Sequence, residues 1–158
     1  MANAPSPLEV GAQAPTFTAT TFDGQTVSLD DYRGQKLALY FYPKDSTPGC
    51  TNQACNLRDN LDTLTQRGVA VVGVSPDGDP SHEKFSAKHD LNFPLIADPE
   101  HQIIDAYGVW GEKKNYGKTY MGLQRTTFLI DGDGVIVHVF KRPKTKAHAE
   151  EIISKLKD

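Results

Sequence analysis

Cysteine is scarce in this chain, with only Cys50 and Cys55 among 158 residues. Two thiols cannot make a disulfide framework, and a chain this long can bury a core without one. A dominant charge is missing too. Seventeen Lys and Arg face 20 Asp and Glu, for a formal net charge of −3. With the basic residues scattered, this argues against nucleic acid as a partner. No apolar run approaches the ~18–20 residues of a membrane span, so no membrane partner is expected. Residues 1–7, Met-Ala-Asn-Ala-Pro-Ser-Pro, have neither a charged n-region nor an apolar stretch, so no secretory signal is expected. The expected compartment is the cytoplasm, where thiols stay reduced and a structural disulfide is disfavoured. The five histidines show no metal-ligand spacing with the cysteines and read as surface or core residues. Asp131-Gly132-Asp133-Gly134 lacks the later ligands of a calcium loop and reads as a turn.

The composition is that of an ordinary soluble protein, 38% hydrophobic and 23% charged. It predicts one domain over residues 1–158, loosely ordered in residues 1–7. Residues 16–20 and 25–29 alternate around Asp23-Gly24, which predicts a hairpin, and residues 30–34 read as a short helical turn closed by glycine. Residues 36–42 and 69–75 are nearly continuous apolar runs, as in strands covered on both faces. Between them Leu57, Leu61 and Leu64 recur at helical spacing, so one helix is predicted over 50–67 with Gly68 behind it. A second helix is predicted over 81–89. Residues 93–97 read as an edge strand, because Pro94 is barred from a central ladder. A helix over 99–107 would begin at Pro99, strands 126–130 and 135–140 flank a four-residue turn, and a last helix covers 146–156. Alternating βα units require a parallel sheet, to which the late hairpin adds antiparallel strands. The expected fold is an α/β sandwich of three layers with an N-terminal hairpin extension.

Cys50 is the residue with most to say about chemistry. It follows Thr47-Pro48-Gly49 directly after an apolar strand, at the predicted start of a helix. A free thiol is only a few per cent ionised at neutral pH, and the thiolate is the nucleophile. A helix N-terminus contributes ~0.3–1 kcal/mol to an anion and ~2 at most. One hydrogen bond to a charged group adds ~1.5–3 kcal/mol. Helix and Thr47 hydroxyl together are marginal, so a cation is called for. Arg125, at the head of strand 126–130, is the candidate, since reactive groups in α/β proteins gather at strand ends. Periodicity alone does not bring it to Cys50.

Pro43, Thr47 and Cys50, in Pro-x-x-x-Thr-x-x-Cys after Phe41-Tyr42, together with Arg125 in Arg-Thr-Thr-Phe-Leu-Ile-Asp, resemble the active-site elements of the peroxiredoxins. The longer string from Phe41 to Cys55, and Gly108-Val109-Trp110-Gly111-Glu112-Lys113, resemble the peroxiredoxin Q, or bacterioferritin comigratory protein, branch. The similarity runs from about residue 8 to 156. It implies a thioredoxin-like fold and a thiol peroxidase without metal or organic cofactor, acting on hydrogen peroxide and organic hydroperoxides. Cys50 would attack the peroxide, Thr47 orient it, Arg125 stabilise thiolate and transition state, and Pro43 wall the pocket from water. Cys55 would resolve the sulfenic acid as an intramolecular disulfide, which a thioredoxin-type protein would reduce. Without a C-terminal arm bearing a third cysteine, a monomer is expected. Trp110 and Tyr116 stay open between pocket and core. Two other classes remain in play: a thiol–disulfide oxidoreductase, although Cys-x₄-Cys is not its usual Cys-x-x-Cys, and a non-catalytic thioredoxin-like binding module.

Overall fold

The computed structural model describes residues 4–115 and 117–156, so Tyr116 and residues 1–3 lie outside it. The elements run β1 (Thr18–Thr20), β2 (Thr26–Ser28), a 3₁₀ turn (Leu29–Tyr32), β3 (Lys36–Phe41), α1 (Pro48–Asp59), α2 (Leu61–Gln66) and β4 (Val69–Ser75). They continue with α3 (Asp79–His89), β5 (Leu95–Ala97), α4 (Gln102–Ala106), β6 (Trp110–Asn115), β7 (Lys118–Leu123), β8 (Thr126–Ile130), β9 (Ile136–Phe140) and α5 (His148–Ser154). The central sheet has the order β5-β4-β3-β8-β9. β3, β4 and β5 are parallel, β8 pairs antiparallel with β3, and β9 pairs antiparallel with β8.

Successive side chains of β3 point to opposite faces of the sheet, and both faces are covered. Leu37, Leu39 and Phe41 enter a core with the β1–β2 hairpin, Ile104 of α4 and Leu123 of β7. Ala38 and Tyr40 enter a second core with Leu57 of α1, Leu64 of α2, Phe85 of α3 and Ile152 of α5. The three expected layers are present, with four of the five helices on one face. Ser6 and Leu8 donate backbone hydrogen bonds to the carbonyls of Gly108 and Tyr107, which ties the start of the described chain to the domain.

Three expectations need correction. The single helix over 50–67 is two, broken at Asn60 (φ −110°, ψ 9°), whose side-chain amide donates to the Asn56 carbonyl at 2.8 Å. A side chain that competes for a helix acceptor offers the backbone a way out of the ladder. The helix expected from Pro99 begins at Gln102, because the Asp98 carboxylate accepts from the N–H groups of Gln102, Ile103 and Ile104 and fixes the first turn there. The β6–β7 hairpin went unread. It is a separate two-stranded sheet whose second strand is mostly exposed, so it has no buried face to impose alternation.

Two predictions concern stability. A Cβ on Gly73 of β4 would come within 2.9 Å of Leu95 and of the Tyr40 ring. Gly73→Ala is expected to lower unfolding stability by about 1–3 kcal/mol in a urea titration; an unchanged midpoint would contradict the packing. The second prediction rests on His148, wholly buried on α5, with Nδ1 3.0 Å from a Glu151 carboxylate oxygen and Nε2 2.8 Å from the Thr127 hydroxyl. Burial pushes the ring below the ordinary 6.5, against the opposing pull of Glu151. The unfolded chain therefore binds the extra proton first. Stability is expected to fall as pH drops through about 6.5, and His148→Gln should flatten that part of the profile.

Candidate active site

β3 ends at Phe41, and the chain turns through Pro43 to Thr47 before entering α1. Ser46 takes the left-handed conformation (φ 66°). Thr47 is the N-cap residue, Pro48 opens the first turn and Cys50 follows as the third helical residue, 1% exposed. The Thr47 hydroxyl does not cap the helix. It donates to the Lys44 carbonyl at 2.9 Å, which leaves its lone pairs free to accept. The N–H groups of Gly49 and Cys50 belong to the first turn and have no partner within the helix. Gly49 is there for room, since a Cβ would lie 3.1 Å from Arg125 Nη2.

Arg125 immediately precedes β8, and the register of β8 on β3 pairs Thr126 with Phe41. That pairing sets Arg125 beside the end of β3 and the loop that leads to Cys50. Its Nη2 donates to Cys50 Sγ at 3.2 Å, and its Nη1 donates to Gln53 Oε1 at 2.6 Å. Gln53 lies three residues after Cys50 on α1, fully buried, with Nε2 lacking a partner among the described residues. The buried Tyr40 hydroxyl also lacks one. Burial first, then the neighbouring Cys50 charge, pushes the Tyr40 phenol well above its ordinary range, so it stays protonated, a donor. The Cys50 sulfur thus lies near the positive end of the helix dipole and 3.2 Å from a guanidinium. Beside Arg125 opens a recess of about 420 Å³ lined by Lys113, Gln124, Arg125, Lys141, Arg142 and Pro143.

The AhpC/TSA family model matches residues 10–139. The chain is 48% identical over 153 residues to Peroxiredoxin Bcp of Escherichia coli (strain K12), covering 97% of this chain and 98% of that protein. It is 45% identical over 151 residues to Peroxiredoxin Bcp of Bacillus subtilis (strain 168), covering 96% of each. Among solved structures, the bacterioferritin comigratory protein of Xanthomonas campestris, studied for its alkyl peroxide reduction activity, superposes with a TM-score of 0.83 at 35% identity, covering 93% of this chain and 94% of that one. The chain belongs to the AhpC/TSA family, in its peroxiredoxin Q branch.

Of the residues singled out in the sequence, Cys50 and Arg125 are in contact, Thr47 occupies the helix mouth beside them, and half-buried Pro43 leads into the same loop. Cys55 is apart. It is a free, half-buried thiol five positions along an unbroken α1. Sequence reasoning missed Gln53, although its spacing of three from Cys50 puts it on the same helix face. Among the described residues, no group of three or more His, Cys, Asp or Glu is placed to hold a metal ion.

Arg125→Met removes a charge-assisted hydrogen bond of ~1.5–3 kcal/mol. Alkylation of Cys50 by iodoacetamide at neutral pH is expected to slow by roughly 10- to 150-fold, as that energy translates into rate. An unchanged rate would mean the guanidinium does nothing for the thiolate.

Proposed function

We propose that this chain is a thiol peroxidase that reduces hydrogen peroxide and organic hydroperoxides through Cys50. The observation that carries the proposal is the 3.2 Å contact between Arg125 Nη2 and Cys50 Sγ at the open first turn of α1. The Cys50 thiolate attacks one peroxide oxygen and an S–O bond forms as the O–O bond breaks. The leaving oxygen takes up a proton as water or alcohol, and Cys50 remains as sulfenic acid. Thr47, whose proton is committed to Lys44, accepts from the peroxide O–H. Arg125 and the first-turn N–H groups face the charge spreading over the two oxygens. Pro43 keeps bulk water from one side of the loop. The cationic recess beside Arg125 offers space for the organic part of a larger hydroperoxide.

Cys55 is the resolving thiol in this reading. It attacks the sulfenic sulfur, water leaves, and a Cys50–Cys55 disulfide forms. On an intact helix, positions i and i+5 have Cα atoms about 8.6 Å apart, beyond the ~7 Å a disulfide tolerates. The first turns of α1 must therefore unwind. The contacts to be given up include Asn56, whose Oδ1 accepts from the Ala149 N–H at 2.7 Å and whose Nδ2 donates to the Lys146 carbonyl. Asn56 thus caps α5, whose own N-cap residue, Ala147, has no side chain to do so. A disulfide formed at the expense of a helix is readily reduced, and a thioredoxin-type dithiol protein suits that step. The enzyme acts as a cytoplasmic monomer in this reading; among the described residues no helix is long and apolar enough to cross a membrane.

Stopped-flow fluorescence of Trp110, the only tryptophan, tests the mechanism. Cys50→Ser is expected to give no signal with peroxide. Cys55→Ser should form the sulfenic acid and stall unless an external thiol resolves it. Peroxide turnover by Cys50→Ser would end the proposal, and insulin reduction without peroxide turnover would replace it with a thiol–disulfide oxidoreductase. The unwinding step predicts that Asn56→Ala, which loses a cap of ~1 kcal/mol, speeds disulfide formation by roughly fivefold. It also predicts that amide-exchange protection over residues 50–60 falls on oxidation. Equal protection in both redox states would refute the unwinding.

A further inference from the structure

His82 of α3 is wholly buried and plays no part in the chemistry above, yet it contacts the loop that leads to Thr47 and α1. Its Nε2 lies 3.1 Å from the Ile96 carbonyl of β5, and its Nδ1 lies 2.7 Å from Asp45 Oδ2. A carbonyl oxygen only accepts, so Nε2 bears a proton. Asp45 is itself buried, and its carboxylate accepts from the Tyr42 hydroxyl at 2.6 Å and the Ser81 hydroxyl at 2.8 Å. Tyr42 Oη, 3.4 Å from His82 Nδ1, already donates to Asp45. A carboxyl group ringed by donors is ionised. Burial raises its proton affinity, but the hydrogen bonds from His82 and Tyr42 outweigh it and hold the group below the ordinary range. Nδ1 then bears a proton too. The contrast is His148, whose Nε2 faces a hydroxyl able to donate to it.

We infer that His82 is a buried imidazolium and that, paired with Asp45, it positions the peroxide-orienting hydroxyl of Thr47. The inference rests on the peroxidase reading. Asp45 is tied at both ends, its carboxylate to α3 and its N–H to Asp77 Oδ2 at 2.7 Å. Its chain neighbour Lys44 supplies the carbonyl that fixes the Thr47 hydroxyl. Between Asp45 and Thr47, Ser46 holds a left-handed backbone that residues with a Cβ seldom adopt unforced. Untying Asp45 lets Ser46 relax and turns the hydroxyl away. Among the described residues, every side chain that binds the Asp45 carboxylate lies on α3 or just after β3, none on α1. The pair therefore acts on Thr47 and leaves the Cys50–Arg125 contact alone. His82 and Asp45 are positioning residues.

The test compares wild type, His82→Leu and His82→Gln by two rates on the same sulfur: oxidation of Cys50 by hydrogen peroxide and its alkylation by iodoacetamide. Alkylation needs the thiolate but no oriented peroxide. His82→Leu is expected to oxidise roughly 10- to 100-fold more slowly while alkylating within about twofold of wild type. His82→Gln, which keeps one donor, should fall between. Nitrogen-15 spectra of the wild-type imidazole should show both ring nitrogens protonated at neutral pH. Equal losses in both rates, a wild-type oxidation rate in either variant, or a neutral His82 ring would overturn the inference. Should His82→Leu not fold, His82→Gln and the spectra decide. Failure of wild type itself to react with peroxide would sink the peroxidase reading instead, with the spectra still judging the charge of His82.

Discussion

The contact between the Arg125 guanidinium and Cys50 Sγ is the interaction on which the site depends, and a sheet register produces it. β8 lies antiparallel to β3 with Thr126 opposite Phe41, so the residue before β8 meets the segment after β3. A slip of one residue would carry Arg125 away from the thiol and turn every β8 side chain to the wrong face. The register is held from both sides, because Phe128 and Ile130 enter one core while Leu129 enters the other. Nonspecific apolar burial thereby fixes a charge to within hydrogen-bonding distance of a sulfur.

Helix α1 serves two demands that conflict. Its open first turn and its Gln53 keep Cys50 and Arg125 together, which requires the helix intact. Joining Cys50 to Cys55 requires the same turns to come apart. The attachments of α1 match that tension. Beyond Cys55 the polar ones are Asn56 to the start of α5 and Arg58 Nη1 to the His89 carbonyl at 2.5 Å. Such contacts are individually worth about a kilocalorie and can be exchanged for water. The apolar anchors Ala54 and Leu57 hold the closed form between reactions.

Two buried histidines show how little the residue type alone says. His148 faces a hydroxyl and a carboxylate, and its burial favours the neutral ring. His82 faces a carbonyl and a carboxylate, acceptors both, so both of its ring nitrogens are placed to donate. Each joins separate elements: His148 ties α5 to β8, and His82 ties α3 to β5 and to the loop before Thr47.

Much of this was legible in the chain. The apolar runs of β3 and β4 announced strands covered on both faces, and the turn residues between β8 and β9 announced a hairpin. Cys50 after Thr-Pro-Gly marked a nucleophile at a helix start, and the resemblance to the peroxiredoxins, which includes the later Arg-Thr-Thr-Phe, implied the chemistry. The β6–β7 hairpin, the break at Asn60 and the late start of α4 stayed hidden, since each is decided by side chain-to-backbone bonds or by exposure rather than by period. Gln53 shares a helix face with Cys50 by spacing, but its bond to Arg125 and the pairing of Asp45 with His82 were unreadable. Their roles exist only through partners on other elements, at 2.6 Å from Arg125 and 2.7 Å from each other. What the order of residues determined by itself was the local material: strands, turns and a thiol at the mouth of a helix. Which cation faces that thiol, and which histidine keeps its second proton, the tertiary structure alone decided, because hydrogen bonds and charges act over a few ångströms of space whatever the distance along the chain.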